Sequence, residues 1–280
     1  MSFLLDPLQF AFLRHALIVC TVAGALCGLL GVFVTLRAMS YIGHGLSHAI
    51  FGGAAICAAL GLNFFIGAGI WGLATGLSIG RVTRRRIIGA DAAIGVLTTA
   101  SFAFGLVLLG LFPRVKTSIE ATVFGSVLGV STADVWIVLL VTALTVLGVT
   151  LNYRRLLFTT FDPEVAEASG VKIARYEALL MLMLSFATLA TMKVLGVTLI
   201  AATLVTPAVI ARMLTNSFAK MLWISSGIGA ACGFSGMYLS YHLDVSSGAA
   251  IVLTSFFVFL LVFFSSGRTA RLRTGSAHAH

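Results

Sequence analysis

Long apolar stretches separated by short polar segments run along the whole chain. Most are close to the roughly 20 residues that a membrane-spanning helix needs. Their backbone groups must pair within the helix, because lipid offers no hydrogen-bond partner. The pattern therefore predicts an all-α integral membrane protein. The nine predicted spans are residues 10–36, 41–61, 63–80, 92–112, 133–151, 177–193, 195–213, 220–241 and 247–265.

The basic residues favour one orientation of these spans. With the N-terminus outside and nine crossings, the inner side receives 14 of the 18 lysines and arginines, which is the asymmetry of the positive-inside rule. These inner residues are Arg37, Arg81, Arg84, Arg85, Arg86, Arg154, Arg155, Lys172, Arg175, Arg212, Lys220, Arg268, Arg271 and Arg273. Merging residues 177–213 into one span would leave eight crossings and weaken this asymmetry. We therefore expect a tight break between Lys193 and Gly196.

Composition agrees with a membrane protein. Only 10% of the 280 residues are charged, against about 25% in soluble domains, and the mean hydropathy is +1.08. The net charge of +9 lies between the apolar stretches, so it indicates topology rather than nucleic-acid binding. The stretch from Ala16 to Leu36 is long enough to span and is followed by further spans, so it is not predicted to be a signal peptide. We expect one transmembrane domain over residues 1–266 and a disordered cytoplasmic tail over 267–280.

The inner segment 152–176 is the longest polar part of the chain and contains helix signals of its own. Asp162 is a good N-cap, Pro163 suits the first helical position, and Gly170 fits a C-terminal stop. A helix of about two turns is predicted over Pro163–Ser169. From spacing alone, it could be an ordinary connection or a docking element.

His44 and His48 lie four residues apart, which places both imidazoles on one helical face. Such a pair can share a divalent transition metal. The alternative is two packing histidines bonded to backbone carbonyls, but ionisable groups inside a span are costly and usually line a pathway. We therefore predict a metal role. Two imidazoles are too few for a tight site, so waters or the histidines of a second subunit would complete it.

Other chemistry is weakly indicated. The intervening Gly45, Leu46 and Ser47 provide no glutamate, so the zinc-protease motif is absent. A GFSG segment around Ser235 resembles the nucleophile segment of intramembrane serine proteases. His242 would nevertheless lie about 10 Å further along a continuous helix. The chain also has no GxxxxGK[ST] phosphate loop.

No carboxylate maps to the middle of a span, which argues against an ion-coupled carrier with acids at mid-membrane. Asp91 and Glu177 lie at inner ends, and Glu120, Asp134 and Asp244 at outer ends. The four cysteines form no CxxC pair and are expected to pack between helices.

Several segments, in order, resemble permease subunits of manganese/zinc/iron-type ATP-binding-cassette importers, the ABC-3 family. The resemblance covers nearly the whole chain. The segments are LRAMSYIGHGLSHAIFGGAAI (36–56), DAAIGVLTTASFAFGLVL (91–108), VFGSVLGVSTADVW (123–136), FDPEVAEASGV (161–171), VLGVTLIAATLVTPAVIARMLT (194–215) and SSGAAIVL (246–253).

The resemblance implies a permease in the plasma or inner membrane of a prokaryote, with a cytoplasmic C-terminus. A second permease copy, cytoplasmic ATPases and an extracytoplasmic metal-binding protein would be its partners. The implied ATPase-coupling residues are Asp162, Glu164, Glu167, Ala168 and Gly170. His48 matches a family histidine of the metal path, and His44 stands where the family usually has aspartate. This replacement should shift preference from manganese toward zinc or iron(II).

We therefore expect a non-enzymatic permease subunit of an ATP-driven importer for zinc, manganese or iron ions, without a tightly bound cofactor. ATP would be hydrolysed by a separate subunit. One alternative is a permease for a chelated metal or a cobalamin-like cofactor, which needs a wider cavity. Another is an intramembrane hydrolase, which would be active without an ATPase.

Overall fold

A computed structural model describes residues 10–59, 64–84, 88–111, 130–196 and 199–276. Within these ranges the chain forms helices and no strands, which confirms the predicted all-α class. The helices are α1 (Ala11–Leu36), α2 (Ile42–Ala59), α3 (Phe64–Arg84), α4 (Ala90–Leu111), α5 (Thr132–Leu151), α6 (Tyr153–Phe161), α7 (Pro163–Ala168), α8 (Ile173–Leu195), α9 (Ile200–Leu214), α10 (Phe218–Leu243) and α11 (Ser247–Ser276). The predicted outer segment around Glu120 lies outside the described residues.

The nine longer helices fall on the nine predicted apolar stretches. Among the described residues, five helices are long and apolar enough to cross a membrane. These are Ala11–Leu36, Ala90–Leu108, Thr132–Leu151, Ile173–Leu195 and Ser247–Ser265. The predicted break is confirmed, because α8 ends at Leu195 and Gly196 takes φ 78°. Helix α9 has 15 residues and is therefore about 22 Å long. It is shorter than the hydrocarbon core of about 30 Å.

Helix α1 lies at the centre and packs most closely against α10. A Cβ atom on Gly24 would overlap the carbonyl oxygen of Gly229, so the two backbones touch. One turn further along α1, Ser225 donates its hydroxyl to the carbonyl oxygen of Gly28 at 2.6 Å. Small residues that permit such contact are typical of membrane helix interfaces. Gly229 therefore packs backbone to backbone against α1, whereas a Cβ on Gly227 would meet open space.

Glycines also hold α2 between α3 and α4. A Cβ on Gly52 would lie 2.5 Å from the carbonyl oxygen of Ser101, on α4. A Cβ on Gly53 would overlap the side chain of Trp71, on α3. The Trp71 indole donates to the Ser101 hydroxyl and so joins α3 to α4. These contacts fix the register of α2 against both neighbours.

Two ion pairs join helix ends that are predicted to lie on the same side of the membrane. Lys193 Nζ lies 2.6 Å from Asp134 Oδ2, and both residues are predicted at outer ends. Arg84 Nε lies 3.5 Å from Glu177 Oε2, and both are predicted at inner ends. The fold therefore agrees with the predicted grouping of charges by side.

The cytoplasmic segment contains the predicted short helix. The Asp162 carboxylate accepts from the backbone N–H of Val165 at 3.1 Å and caps α7. Gly170 takes φ 81°, and the Val171 N–H donates to the Ala166 carbonyl at 3.0 Å. This is a Schellman ending, for which glycine is the preferred residue.

Two features at the cytoplasmic side go beyond the sequence analysis. Helix α6 is not predicted, because only Leu156 and Thr159 are buried and this apolar stripe is too short to be distinctive. Helix α11 continues to Ser276, into the segment from residue 267 for which disorder is expected.

Candidate metal site

The two predicted histidines lie side by side on the first turns of α2. The His44 and His48 rings have centroids 4.4 Å apart, and their Nε2 atoms are separated by 3.1 Å. An ion about 2.1 Å from each nitrogen, a typical imidazole–zinc bond length, would subtend an angle of about 95° between them. Both rings can therefore ligate a single ion with little movement.

The pair opens into a cavity of about 480 Å³ between α2 and α4. Helix α2 contributes His44 and His48 to its lining, Tyr41 lines it from the preceding turn, and α4 contributes Asp91, Thr98 and Phe102. His44 is exposed in the single chain, whereas His48 is half-buried. The cavity thus presents the imidazoles on the outer face of the helical bundle.

The pair stands on the first turns of α2, at the level of the middle of α8. Leu46, between the histidines, and Ser185, at the middle of α8, both approach Gly76. A Cβ on Gly76 would lie 2.8 Å from Ser185 Oγ and 3.7 Å from Leu46 Cδ1. The imidazoles therefore lie near the level of the middle of α8.

Packing, rather than a hydrogen bond at the second nitrogen, orients His48. Its ring meets Phe102 edge-to-face at a centroid distance of 4.8 Å. Its Nδ1 atom is buried and has no hydrogen-bond partner among the described residues. Ser47 is fully buried and donates its hydroxyl to the His44 carbonyl at 2.8 Å, so it turns away from the cavity.

Asp91 is predicted from sequence to lie at a helix end, and nothing in the sequence connects it with the histidines. It lies in the first turn of α4, as expected, but it also lines the histidine cavity and is exposed there. Its position follows from the glycine contacts between α2 and α4. Across the described residues, no three histidine, cysteine, aspartate or glutamate side chains converge on one point. In one chain the site therefore has two ligands, with a carboxylate nearby.

The hydrolase alternative finds no support in the geometry. Ser235 and His242 lie on the continuous helix α10, about 10 Å apart along its axis. The Ser235 hydroxyl donates to the Ala231 carbonyl at 2.6 Å, and the His242 ring packs against Tyr238 at 4.6 Å. The two side chains do not form a nucleophile–base pair.

The implied ATPase-coupling residues lie together on or beside α7. Glu164, Glu167, Ala168 and Gly170 are exposed on or just after α7, and Asp162 caps that helix. Only Ala166 of α7 is fully buried. Helix α7 is therefore anchored by one small side chain and presents the rest of its surface outward.

A bundle of long apolar helices, with an imidazole pair level with the middle of α8 and a short exposed helix α7, has the architecture of a multi-pass membrane protein of the permease class. The ABC 3 transport family model matches residues 9–266. The chain therefore belongs to the ABC 3 transport family. It is a permease subunit of an ATP-binding-cassette transporter, and its ATPase is a separate subunit.

Named relatives extend the comparison. The chain is 38% identical to the manganese transport system membrane protein MntC of Listeria innocua, over 94% of each chain. It is 34% identical to a Haemophilus influenzae iron transport system membrane protein, over 94% of this chain and 97% of the other. Among solved structures, PsaBC from Streptococcus pneumoniae in complex with Fab superposes with a TM-score of 0.84 and 36% identity. That match covers 96% of this chain and 98% of the PsaBC chain.

Proposed function

We propose that this chain is the membrane subunit through which an ATP-driven importer passes a divalent transition metal, and that His44 and His48 bind the ion in transit. The observation that carries the proposal is the 3.1 Å separation of the two Nε2 atoms, level with the middle of α8. Weak ligation suits this role, because a transported ion must also leave. The names of the manganese and iron relatives support the substrate class.

The ligands bear on the choice of metal. Imidazole suits iron and zinc, whereas carboxylate and water suit manganese. The names of the relatives give manganese and iron. We therefore propose manganese and iron(II) as substrates, with His44 favouring iron(II).

A second copy of the chain would cover the cavity. His44 and Asp91 are exposed on the single chain, and ionisable side chains that face lipid are costly. A partner over this face would remove that cost and add a second imidazole pair. We propose a homodimer with the cavity at its interface and four imidazoles around the path.

The proposed partners follow from the family, and the proposed orientation follows from the distribution of basic residues. We propose that α7 docks on the ATPase, because Glu164, Glu167 and Ala168 are exposed while Ala166 anchors the helix. A metal-binding protein would deliver the ion at the opposite, extracytoplasmic side. We place the chain in the plasma membrane with its C-terminus in the cytoplasm, where most arginines and lysines lie.

The test is transport by the permease with its ATPase in proteoliposomes. We expect ATP-dependent accumulation of radiolabelled manganese and iron(II), and none when the ATPase is omitted. Accumulation of a metal chelate but not of either free ion would favour the chelate permease instead. Hydrolysis of peptide substrates by the isolated chain would favour the hydrolase.

Asp91 should raise the rate at which cations enter the cavity. A carboxylate near the site increases the local cation concentration, so Asp91→Asn should lower uptake at low metal concentration by about tenfold. The loss should appear mainly in the apparent KM for the metal. Asp244→Asn is the control, because Asp244 caps the far end of α10. Equal uptake by both variants at low metal would remove Asp91 from the path.

A further inference from the structure

Arg37 makes a two-pronged contact between α1 and the cytoplasmic helix α6. Its Nε atom donates to Thr160 Oγ1 and one terminal nitrogen donates to Thr159 Oγ1, each at 3.1 Å. Both threonines donate their own hydroxyls to the Leu156 carbonyl, at 3.2 and 2.7 Å. Their oxygens are therefore fixed as acceptors. The planar guanidinium matches two acceptors in a defined geometry, which an ammonium group does not.

Helix α6 is joined rigidly to the exposed helix α7. Asp162 ends α6 by donating its N–H to the Phe158 carbonyl at 3.0 Å. The same residue caps α7, and its carbonyl accepts from the Ala166 N–H at 3.0 Å. One residue thus belongs to both helices, so a displacement of α7 reaches Thr159 and Thr160 without a flexible linker.

On its other side, Arg37 leads directly to the histidine-bearing helix. Ala38 takes φ 53°, and the Met39 N–H donates to the Val34 carbonyl at 3.0 Å, a Schellman ending with alanine in place of the preferred glycine. Met39 is buried, and its carbonyl accepts from the Ile42 N–H at 2.9 Å, where α2 begins. His44 lies two residues beyond Ile42. This connection is short and hydrogen-bonded.

The other contacts of α6 lead to α8 and to Phe218 of α10, which also packs against Phe33 of α1. Arg155 donates to the Tyr176 hydroxyl at 2.7 Å and so ties α6 to α8. The Tyr153 and Phe161 rings pack against Phe218 of α10, with centroid distances of 5.7 and 6.0 Å. Among the described residues, only the Arg37 contact links α6 by side-chain hydrogen bonds to the turn that precedes α2.

The charges around Arg37 hold it in place. Burial lowers the pKa of the Arg37 guanidinium, and the nearby Glu177 carboxylate opposes that shift. Glu177 Oε2 also lies 3.5 Å from Arg84 Nε. Glu167, on the exposed helix α7, acts electrostatically on Glu177. Arg37 therefore belongs to a charged group that includes a residue of α7.

We propose that Arg37 is a positioning residue that passes movement of the α6–α7 unit to α2 and thereby to the imidazole pair. This inference rests on the proposed function, since it assumes that α7 docks on an ATPase and that the histidines bind the transported ion. The movement travels from α7 through Asp162 to Thr159 and Thr160, then through Arg37 to the turn that starts α2.

The test is the number of metal ions transported per ATP hydrolysed by the reconstituted complex. Arg37→Ala should lower this ratio about tenfold while ATP hydrolysis stays within about twofold, because coupling between two sites is typically worth about 5- to 150-fold. Arg37→Lys should restore the ratio only in part, since lysine keeps the positive charge but lacks the planar guanidinium that donates to both threonines. Arg155→Ala is the matched control: it frees α6 from α8 and should leave the ratio near that of the wild type.

A second variant keeps the test decisive if Arg37→Ala does not fold. Thr159→Val with Thr160→Val removes both acceptors, preserves the shape of each side chain, and should lower the ratio in the same way. An unchanged ratio in both the arginine and threonine variants overturns the proposal. A wild-type complex that transports no metal with ATP would instead overturn the proposed function, before any variant is compared.

Discussion

Replacing both His44 and His48 with alanine is expected to abolish ATP-driven uptake of manganese and iron(II). Their Nε2 atoms are 3.1 Å apart, and His44 and His48 are the only histidines among the described residues that line the cavity. Removing a residue that hydrogen-bonds to a metal ligand typically lowers metal affinity or activity by about 10- to 100-fold. Removing both ligands should therefore reduce uptake to background. The measurement is initial uptake of each radiolabelled ion by cells or proteoliposomes.

Assembly should survive this double substitution, because both side chains face a cavity rather than the helical core. The complex with the ATPase should therefore purify at normal yield. His242→Ala is the matched control, since it removes a histidine at the far end of α10 and should leave uptake intact. His44→Asp should retain uptake and shift it toward manganese, as expected when a carboxylate replaces an imidazole. Normal uptake by the double variant would contradict the site assignment.

The fold was accessible from sequence because lipid makes backbone pairing and hydropathy decisive. Apolar stretches marked the long helices to within about five residues at each end, except that α11 continues to Ser276. Local cap chemistry was equally clear for α7, where Asp162 and Gly170 act at the predicted positions. That His44 and His48 lie on the same face of one helix followed from helical periodicity alone. Each of these features depends on residues close together in the chain.

Features that depend on register between distant segments could not be predicted in this way. Asp91 reaches the histidine cavity because Gly52 meets the backbone of Ser101 and sets α2 against α4. The Arg37 contact with Thr159 and Thr160 joins residues more than 120 positions apart. A single sequence shows which residues are small or polar, but not which helix each one meets.

The same limit applies to glycine, and it leads to a sharp prediction about stability. Gly227 and Gly229 lie two residues apart on α10 and look alike in sequence, yet only Gly229 touches the backbone of α1 at Gly24. Gly229→Ala must push the two helices apart, because no flexible side chain can move aside. The cost should lie near the upper end of overpacking changes, about 3 kcal/mol.

Gly227→Ala is the same chemical change in open space on the same helix. It should be neutral or stabilising by up to about 1 kcal/mol, since alanine restricts the unfolded chain more than glycine does. Denaturant unfolding of the purified permease in detergent measures both variants on one scale. Gly229→Ala should lower the midpoint clearly, and Gly227→Ala should not. Equal midpoints would mean that α1 and α10 do not meet backbone to backbone, and the central packing described for this fold would be wrong.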